Sequence, residues 1–173
     1  IPFYFYQIVH KISKHIEFRN YLIKFKYQLG GKVMNFLDEF QVMVRKYPQR
    51  AALADCNGER VTTYEELNTL SGRIAAKLVQ SKDMSNEVVM VCMGRKTEYL
   101  AAEIGIMMAG AAFVPVLPEY PRERLSYIKQ DCQAATVIDD SWLSDIGMYE
   151  PIQPVAREDE SRAMLIYTSG STG

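Results

Sequence analysis

From residue 36 onward, the spacing of apolar residues divides this chain into alternating helices and strands. Phe36, Leu37, Phe40, Val42, Met43 and Val44 fill a stretch that Asn35 is placed to cap and that ends before Pro48, predicting a first helix. Ala51 to Cys56 and Arg60 to Thr62 read as two strands around Asn57-Gly58, a dipeptide suited to the left-handed backbone of a tight hairpin turn. Thr63 and Glu66 have capping-box spacing, in which a hydroxyl and a carboxylate each satisfy a free backbone N–H. Leu67, Leu70, Ile74 and Leu78 follow at intervals of three and four, one face of a second helix.

The pattern continues with a strand from Val88 to Met93, a helix from Thr97 to Met108, and a strand from Ala111 to Val116. A helix opened by Pro121 runs through Gln130, since proline suits the first helical turn. Ala134 to Asp139 and Ala163 to Tyr167 read as further strands, with residues 147–162 polar and loop-like between them. Short apolar strands alternating with helices predict an α/β fold with a mostly parallel sheet flanked by helices.

Residues 1–33 stand apart. They carry six Lys or Arg against one acid, Glu17, while the remainder carries 14 basic and 20 acidic groups. Three readings of this basic leader stay open: an interaction arm, the tail of an upstream module, or upstream sequence read in frame. In the third, translation starts at Met34. Gly30-Gly31 requires a GGNGGN tract shortly before that codon, as a bacterial ribosome-binding site would.

A length of 173 residues suffices for one ordinary domain, and 48% apolar with 24% charged residues is the composition of a soluble globular protein. The net charge of -1 implies no overall affinity for nucleic acid or anionic membranes. The apolar start, Ile1 to Val9, is too short to span a bilayer and lacks the charged-first order of a signal peptide. Arg95, Lys96, Glu98 and Glu103 break the apolar run from Val88 to Val116, so it reads as buried strand, helix and strand. Cys56, Cys92 and Cys132 show no metal-binding spacing and read as reduced cysteines of a cytoplasmic protein. Both histidines, His10 and His15, lie in the leader, so neither a metal site nor histidine catalysis is expected in the remainder.

The chemistry points to the end of the chain. Ala163-Met164-Leu165-Ile166-Tyr167 runs directly into Thr168-Ser169-Gly170-Ser171-Thr172-Gly173, made only of glycine and hydroxyl residues. Glycines permit close backbone approach, and N–H and hydroxyl donors suit a polyphosphate. It is not a Walker A loop, because GxxxxGK[ST] is absent.

Four ordered segments resemble the opening motifs of adenylate-forming enzymes, most closely the amino-acid adenylation domains of nonribosomal peptide synthetases. They are Val61 to Leu67 (VTTYEEL), Met108 to Val116 (MAGAAFVPV), Pro118 to Arg124 (PEYPRER) and Tyr167 to Gly173 (YTSGSTG). The first is weakly specific; the ordered set is highly specific, and its Tyr-Pro favours amino-acid over acyl-CoA activation. Leu117 and Met108 depart from the family's frequent Asp and Lys, neither a catalytic position.

The resemblance implies that residues 34–173 are the N-terminal portion of an AMP-binding adenylation domain, cut off at its phosphate loop. It implies an ATP- and Mg2+-dependent ligase that converts an amino acid into an aminoacyl-adenylate. The aminoacyl group then passes to the phosphopantetheine thiol of a peptidyl carrier protein or domain. Thr168, Ser169, Gly170, Ser171, Thr172 and Gly173 are the implied nucleotide-binding residues. No catalytic or metal-binding residue falls within the chain, and no nucleic-acid or membrane partner is expected. The alternatives are an acyl- or aryl-CoA synthetase, a D-alanine–carrier ligase, or an inactive truncated product. The isolated chain is expected to be inactive and poorly soluble, with an exposed strand edge.

The remaining polar residues have structural readings. Tyr64, Glu65 and Glu66 belong to a helix cap, and Gly110 ends the helix from Thr97. Pro115 and Pro118 stiffen a strand exit. Arg122 and Arg124 occupy a solvated first turn, Asp139-Asp140 leads to a helix capped by Ser141, and Met93, Met107 and Met108 fill the core.

Overall fold

The computed structural model describes residues 27–29, 32–34, 36–54, 61–94, 96–156 and 162–167. Strands β1 (Tyr27–Leu29) and β2 (Lys32–Met34) form an antiparallel hairpin in which Tyr27 lies opposite Met34. Helix α1 (Phe36–Lys46) follows and buries Leu37 and Phe40. Strands β3 (Ala51–Ala54) and β4 (Val61–Thr63) pair antiparallel, flanking the predicted Asn57-Gly58 turn, which lies outside the described residues.

The predicted capping box is present at the start of α2 (Tyr64–Ser81). The Glu66 N–H donates to Thr63 Oγ1 at 3.2 Å, and the Thr63 N–H donates to Glu66 Oε2 at 2.8 Å. These bonds hold the Glu66 carboxyl below its ordinary pKa, the Thr63 backbone N–H being the largest cause. Leu67, Ile74 and Leu78 of the predicted stripe are buried, each contributing about 1.5–3 kcal/mol of apolar transfer.

The centre of the fold is a parallel three-stranded sheet, order β6-β5-β7, built from β5 (Val88–Cys92), β6 (Ala112–Val116) and β7 (Thr136–Ile138). Helix α3 (Thr97–Met108) links β5 to β6, and α4 (Arg122–Asp131) links β6 to β7. Alternate strand residues serve opposite faces. Val89, Val91, Phe113 and Ile138 pack with α1, α2 and α3. Val88, Met90, Val114 and Val116 pack with Ile128, Cys132 and Leu125 of the α4 region. A sheet covered on both faces needs unbroken apolar strands, which is why Val88 to Cys92 shows no polar alternation.

Helix α3 ends as predicted. Gly110 adopts φ +91, its N–H donates to the Met107 carbonyl, and the Ala111 N–H donates to the Ile106 carbonyl, both at 3.1 Å. This Schellman geometry turns the chain directly into β6. Helices α2 and α3 cross closely at Gly105, where a Cβ would stand 2.7 Å from the Ser71 carbonyl oxygen. Past the 3-10 helix Ile146–Met148, the chain straps across both helices. The Ile152 N–H donates to the Gly72 carbonyl at 3.2 Å, and the Val155 N–H donates to the Met108 carbonyl at 2.8 Å.

Two expectations are corrected. Ala163 to Tyr167 is not a full strand: it joins the sheet through a single parallel bridge, Met164 opposite Phe113. The Phe113 N–H donates to the Ala163 carbonyl at 3.0 Å, and the Leu165 N–H donates to the Phe113 carbonyl at 2.9 Å. The next β6 residue facing that edge is Pro115, which has no N–H, so the ladder stops. Nor does Ser141 cap a helix. Asp139 does the local work, its Oδ1 accepting the Trp142 N–H at 2.8 Å, and the chain continues as a turn into the short 3-10 helix.

Candidate nucleotide-binding edge

In an open parallel sheet, ligands bind beyond the carboxyl ends of the strands, where backbone and loop side chains converge. Here β5 ends at Cys92, β6 leads into Leu117-Pro118-Glu119-Tyr120, and β7 ends before Asp139-Asp140. The turn after β6 closes with the Tyr120 N–H donating to the Leu117 carbonyl at 3.1 Å. The Arg124 guanidinium stacks over the Tyr120 ring, 4.3 Å from its centroid, so Arg124 is held on the turn, whereas Arg122 is exposed.

This edge carries both acids and bases. Burial pushes the Cys92 thiol up, and the nearby Asp139 and Glu119 carboxylates push it further. Asp140 forms an ion pair with Lys96. Lys96, Arg122 and Arg124 stand beside these acids, and a glycine- and hydroxyl-rich segment would add neutral N–H and hydroxyl donors for a polyphosphate. Thr168, Ser169, Gly170, Ser171, Thr172 and Gly173, the residues expected to supply them, lie outside the described residues.

The approach to that segment is described. Met164 sits opposite Phe113 in the parallel sense, so the chain travels in the direction of β6. Side chains alternate along it: Met164 packs with the α1–α3 cluster, whereas Leu165 and Tyr167 pack with the α4 cluster. The Tyr167 hydroxyl donates to Asp131 Oδ2 at the end of α4. Burial, followed by that hydrogen bond, raises the Tyr167 phenol above its ordinary pKa.

Sequence reasoning singled out Tyr167 but missed Asp131. A signal existed: an acidic residue in the last turn of a helix opposes the negative end of the helix dipole, so Asp131 sits where local electrostatics disfavour it. A second missed group is Lys77. Its ammonium donates to the Trp142 carbonyl and to Asp145 Oδ1, and lies 4.2 Å from the Trp142 ring centroid and 5.6 Å from that of Tyr149. It borders a cavity of about 410 Å³ that also touches Gln80, Ser81 and Thr136. Asp145 already neutralises this cation, and the Lys77 hydrogen bond holds the Asp145 carboxyl below its ordinary pKa.

Comparison with known proteins bears on the whole region. Over 151 residues the chain is 32% identical to one component of the linear gramicidin synthase of Brevibacillus parabrevis, covering 78% of this chain and 3% of that protein. Over 124 residues it is 40% identical to CymA of Salinispora arenicola, a probable non-canonical nonribosomal peptide synthetase, covering 70% of this chain and 2% of that protein. The crystal structure of the nonribosomal peptide synthetase FmoA3 (S1046A) superposes with a TM-score of 0.69 at 26% identity, covering 77% of this chain and 16% of that one. The chain thus spans a small part of each relative. The model of the AMP-binding enzyme family matches residues 40–148, from the middle of α1 to the end of the 3-10 helix. That match takes in more than half of the sequence and every strand of the parallel sheet, and on it the chain belongs to the AMP-binding enzymes.

Proposed function

We propose that residues 34–173 form the N-terminal part of an amino-acid adenylation domain of a nonribosomal peptide synthetase, preceded by the basic leader 1–33. The observation that carries this reading is the similarity to the linear gramicidin synthase and to CymA along most of the chain. The ordered motifs lie along the same chain.

In the proposed reaction an amino-acid carboxylate oxygen attacks the α-phosphorus of ATP. The bond from that phosphorus to the bridging oxygen breaks and pyrophosphate leaves. The carboxylate is a weak nucleophile and ATP is highly anionic, so placement and charge stabilisation supply the rate. Thr168 to Gly173 contribute by holding the β- and γ-phosphates through backbone N–H groups and the hydroxyls of Thr168, Ser169, Ser171 and Thr172. The aminoacyl group then moves to the phosphopantetheine thiol of a carrier domain. Mg2+ accompanies ATP in this reading. Among the described residues no group of three or more His, Cys, Asp or Glu could hold a metal, so we assign it no ligand from them. We place the protein in the cytoplasm, where ATP and free amino acids occur; no helix among the described residues is long and apolar enough to cross a membrane.

The test is ATP–pyrophosphate exchange by the natural polypeptide that carries these residues, with amino acids and fatty or aryl acids offered separately. Stimulation by one amino acid or a few related ones is expected. Stimulation only by fatty or aryl acids would replace this reading with acyl-CoA synthesis.

A further inference from the structure

We infer that Tyr167 and Asp131 form the anchor that fixes where the glycine- and hydroxyl-rich segment leaves the sheet. Both are thus positioning residues for phosphate binding. The role in catalysis rests on the adenylation reading; the anchor itself does not.

Three observations lead here. First, the backbone holds this segment weakly. One bridge with two hydrogen bonds joins residues 163–165 to Phe113, and Pro115 blocks the next bond because it has no N–H to offer. Second, Tyr167 immediately precedes Thr168, and its ring packs into the cluster formed by Val88, Met90, Val114 and Ile128. Third, its hydroxyl donates to the Asp131 carboxylate, a charge-assisted bond of the stronger kind. Asp131 occupies a helix end where the dipole disfavours an acid, so the Tyr167 bond compensates locally for an unfavourable placement. Past the proline-interrupted ladder the chain is therefore held by side chains, and Tyr167, the one next to Thr168, adds a hydrogen bond to its packing.

Loosening this anchor leaves the phosphate-binding arrangement only fractionally populated. Apparent ATP affinity then falls by that fraction, while turnover of the correctly bound complex is unchanged. A general loss of stability does the opposite: it removes active molecules and lowers kcat at constant KM.

The first experiment is amide hydrogen exchange on the natural polypeptide that carries these residues, with no nucleotide present. Tyr167→Phe and Asp131→Ala should speed exchange of the Leu165 amide about tenfold, the loss of one hydrogen bond to a charged group, with Val89 and Ile106 unchanged. Asp131→Asn keeps an acceptor oxygen but loses the charge, so its acceleration should fall between wild type and Asp131→Ala, at about threefold. Pro115→Val supplies the missing N–H and should restore Leu165 protection in the Tyr167→Phe background. An unchanged Leu165 rate in Tyr167→Phe, or equal acceleration at Val89 and Ile106, overturns the anchor. The second experiment is ATP–pyrophosphate exchange in the natural polypeptide. Tyr167→Phe should raise the KM for ATP about tenfold with kcat within about twofold, the population effect above. A fall in kcat at constant KM refutes the positioning role. No exchange by the wild type with any amino acid defeats the adenylation reading, and the Leu165 result still decides the anchor.

Discussion

Glu103 is a carboxylic acid in the wrong surroundings, and this makes stability depend on pH in a predictable direction. It lies on α3 among buried Ala101, Ala102, Ile104 and Ile106. Burial raises its pKa from 4.5 to about 7, opposed by a hydrogen bond from Tyr99 one turn earlier. The unfolded chain loses this proton near pH 4.5, whereas the folded chain keeps it until near pH 7. Between those values the folded state binds more protons, so this group's contribution is full below pH 4.5 and lost as pH rises through about 7. The difference of about 2.5 pKa units, at 1.36 kcal/mol each, comes to about 3 kcal/mol. Glu103→Gln removes the titration. Relative to wild type, the variant should gain about 3 kcal/mol on moving from pH 4 to pH 8. Glu66, Asp83 and Asp145, whose carboxyls are held below their ordinary values, lose their stabilising effect as pH falls, but they do so in both proteins and cancel in the difference. Urea unfolding followed by circular dichroism at pH 4, 5, 6, 7 and 8 gives the comparison. A stability difference between variant and wild type that stays constant to within about 0.5 kcal/mol across this range would refute the burial argument.

Other substitutions test the packing. Gly105→Ala brings a methyl within 2.8 Å of Ile74 Cβ and closer still to a backbone oxygen; overpacking outweighs the gain of about 1 kcal/mol in helix propensity, for a net loss of about 1–3 kcal/mol in urea melts. Thr63→Ala leaves the Glu66 N–H without its cap and should cost about 1 kcal/mol in the same assay. Lys77→Met removes the cation over Trp142, the single tryptophan, so its fluorescence maximum should shift along with a loss of about 1–2 kcal/mol. An unshifted spectrum would show that Lys77 does not cover the indole.

Much of this fold was legible because local and tertiary preferences agree. The Thr63–Glu66 box and the stripe from Leu67 to Leu78 placed α2, and Gly110 placed the end of α3 because only a residue tolerant of positive φ completes that turn. Disagreement arose where one residue's chemistry acted at a distance. Ala163 to Tyr167 has a strand's composition, but Pro115, about fifty residues earlier in the chain, faces the same edge and ends the pairing. Ser141 has a cap's composition, but Asp139 reaches the Trp142 amide first and closes a turn instead. Of the candidate site, the approach through Tyr167 was legible and its tie to Asp131 was not, because partners 36 residues apart leave no periodic trace.

The most direct test of amino-acid adenylation follows an oxygen atom. An amino acid labelled with 18O in its carboxylate is turned over with ATP by the natural polypeptide that carries these residues, and the nucleotide and phosphate products are analysed by mass spectrometry. Attack on the α-phosphorus followed by thiol attack on the carbonyl carbon leaves one labelled oxygen on AMP. That is the predicted result. Label in inorganic phosphate, with ADP as the nucleotide product, would mean that the carboxylate attacks the γ-phosphorus, and would contradict the account.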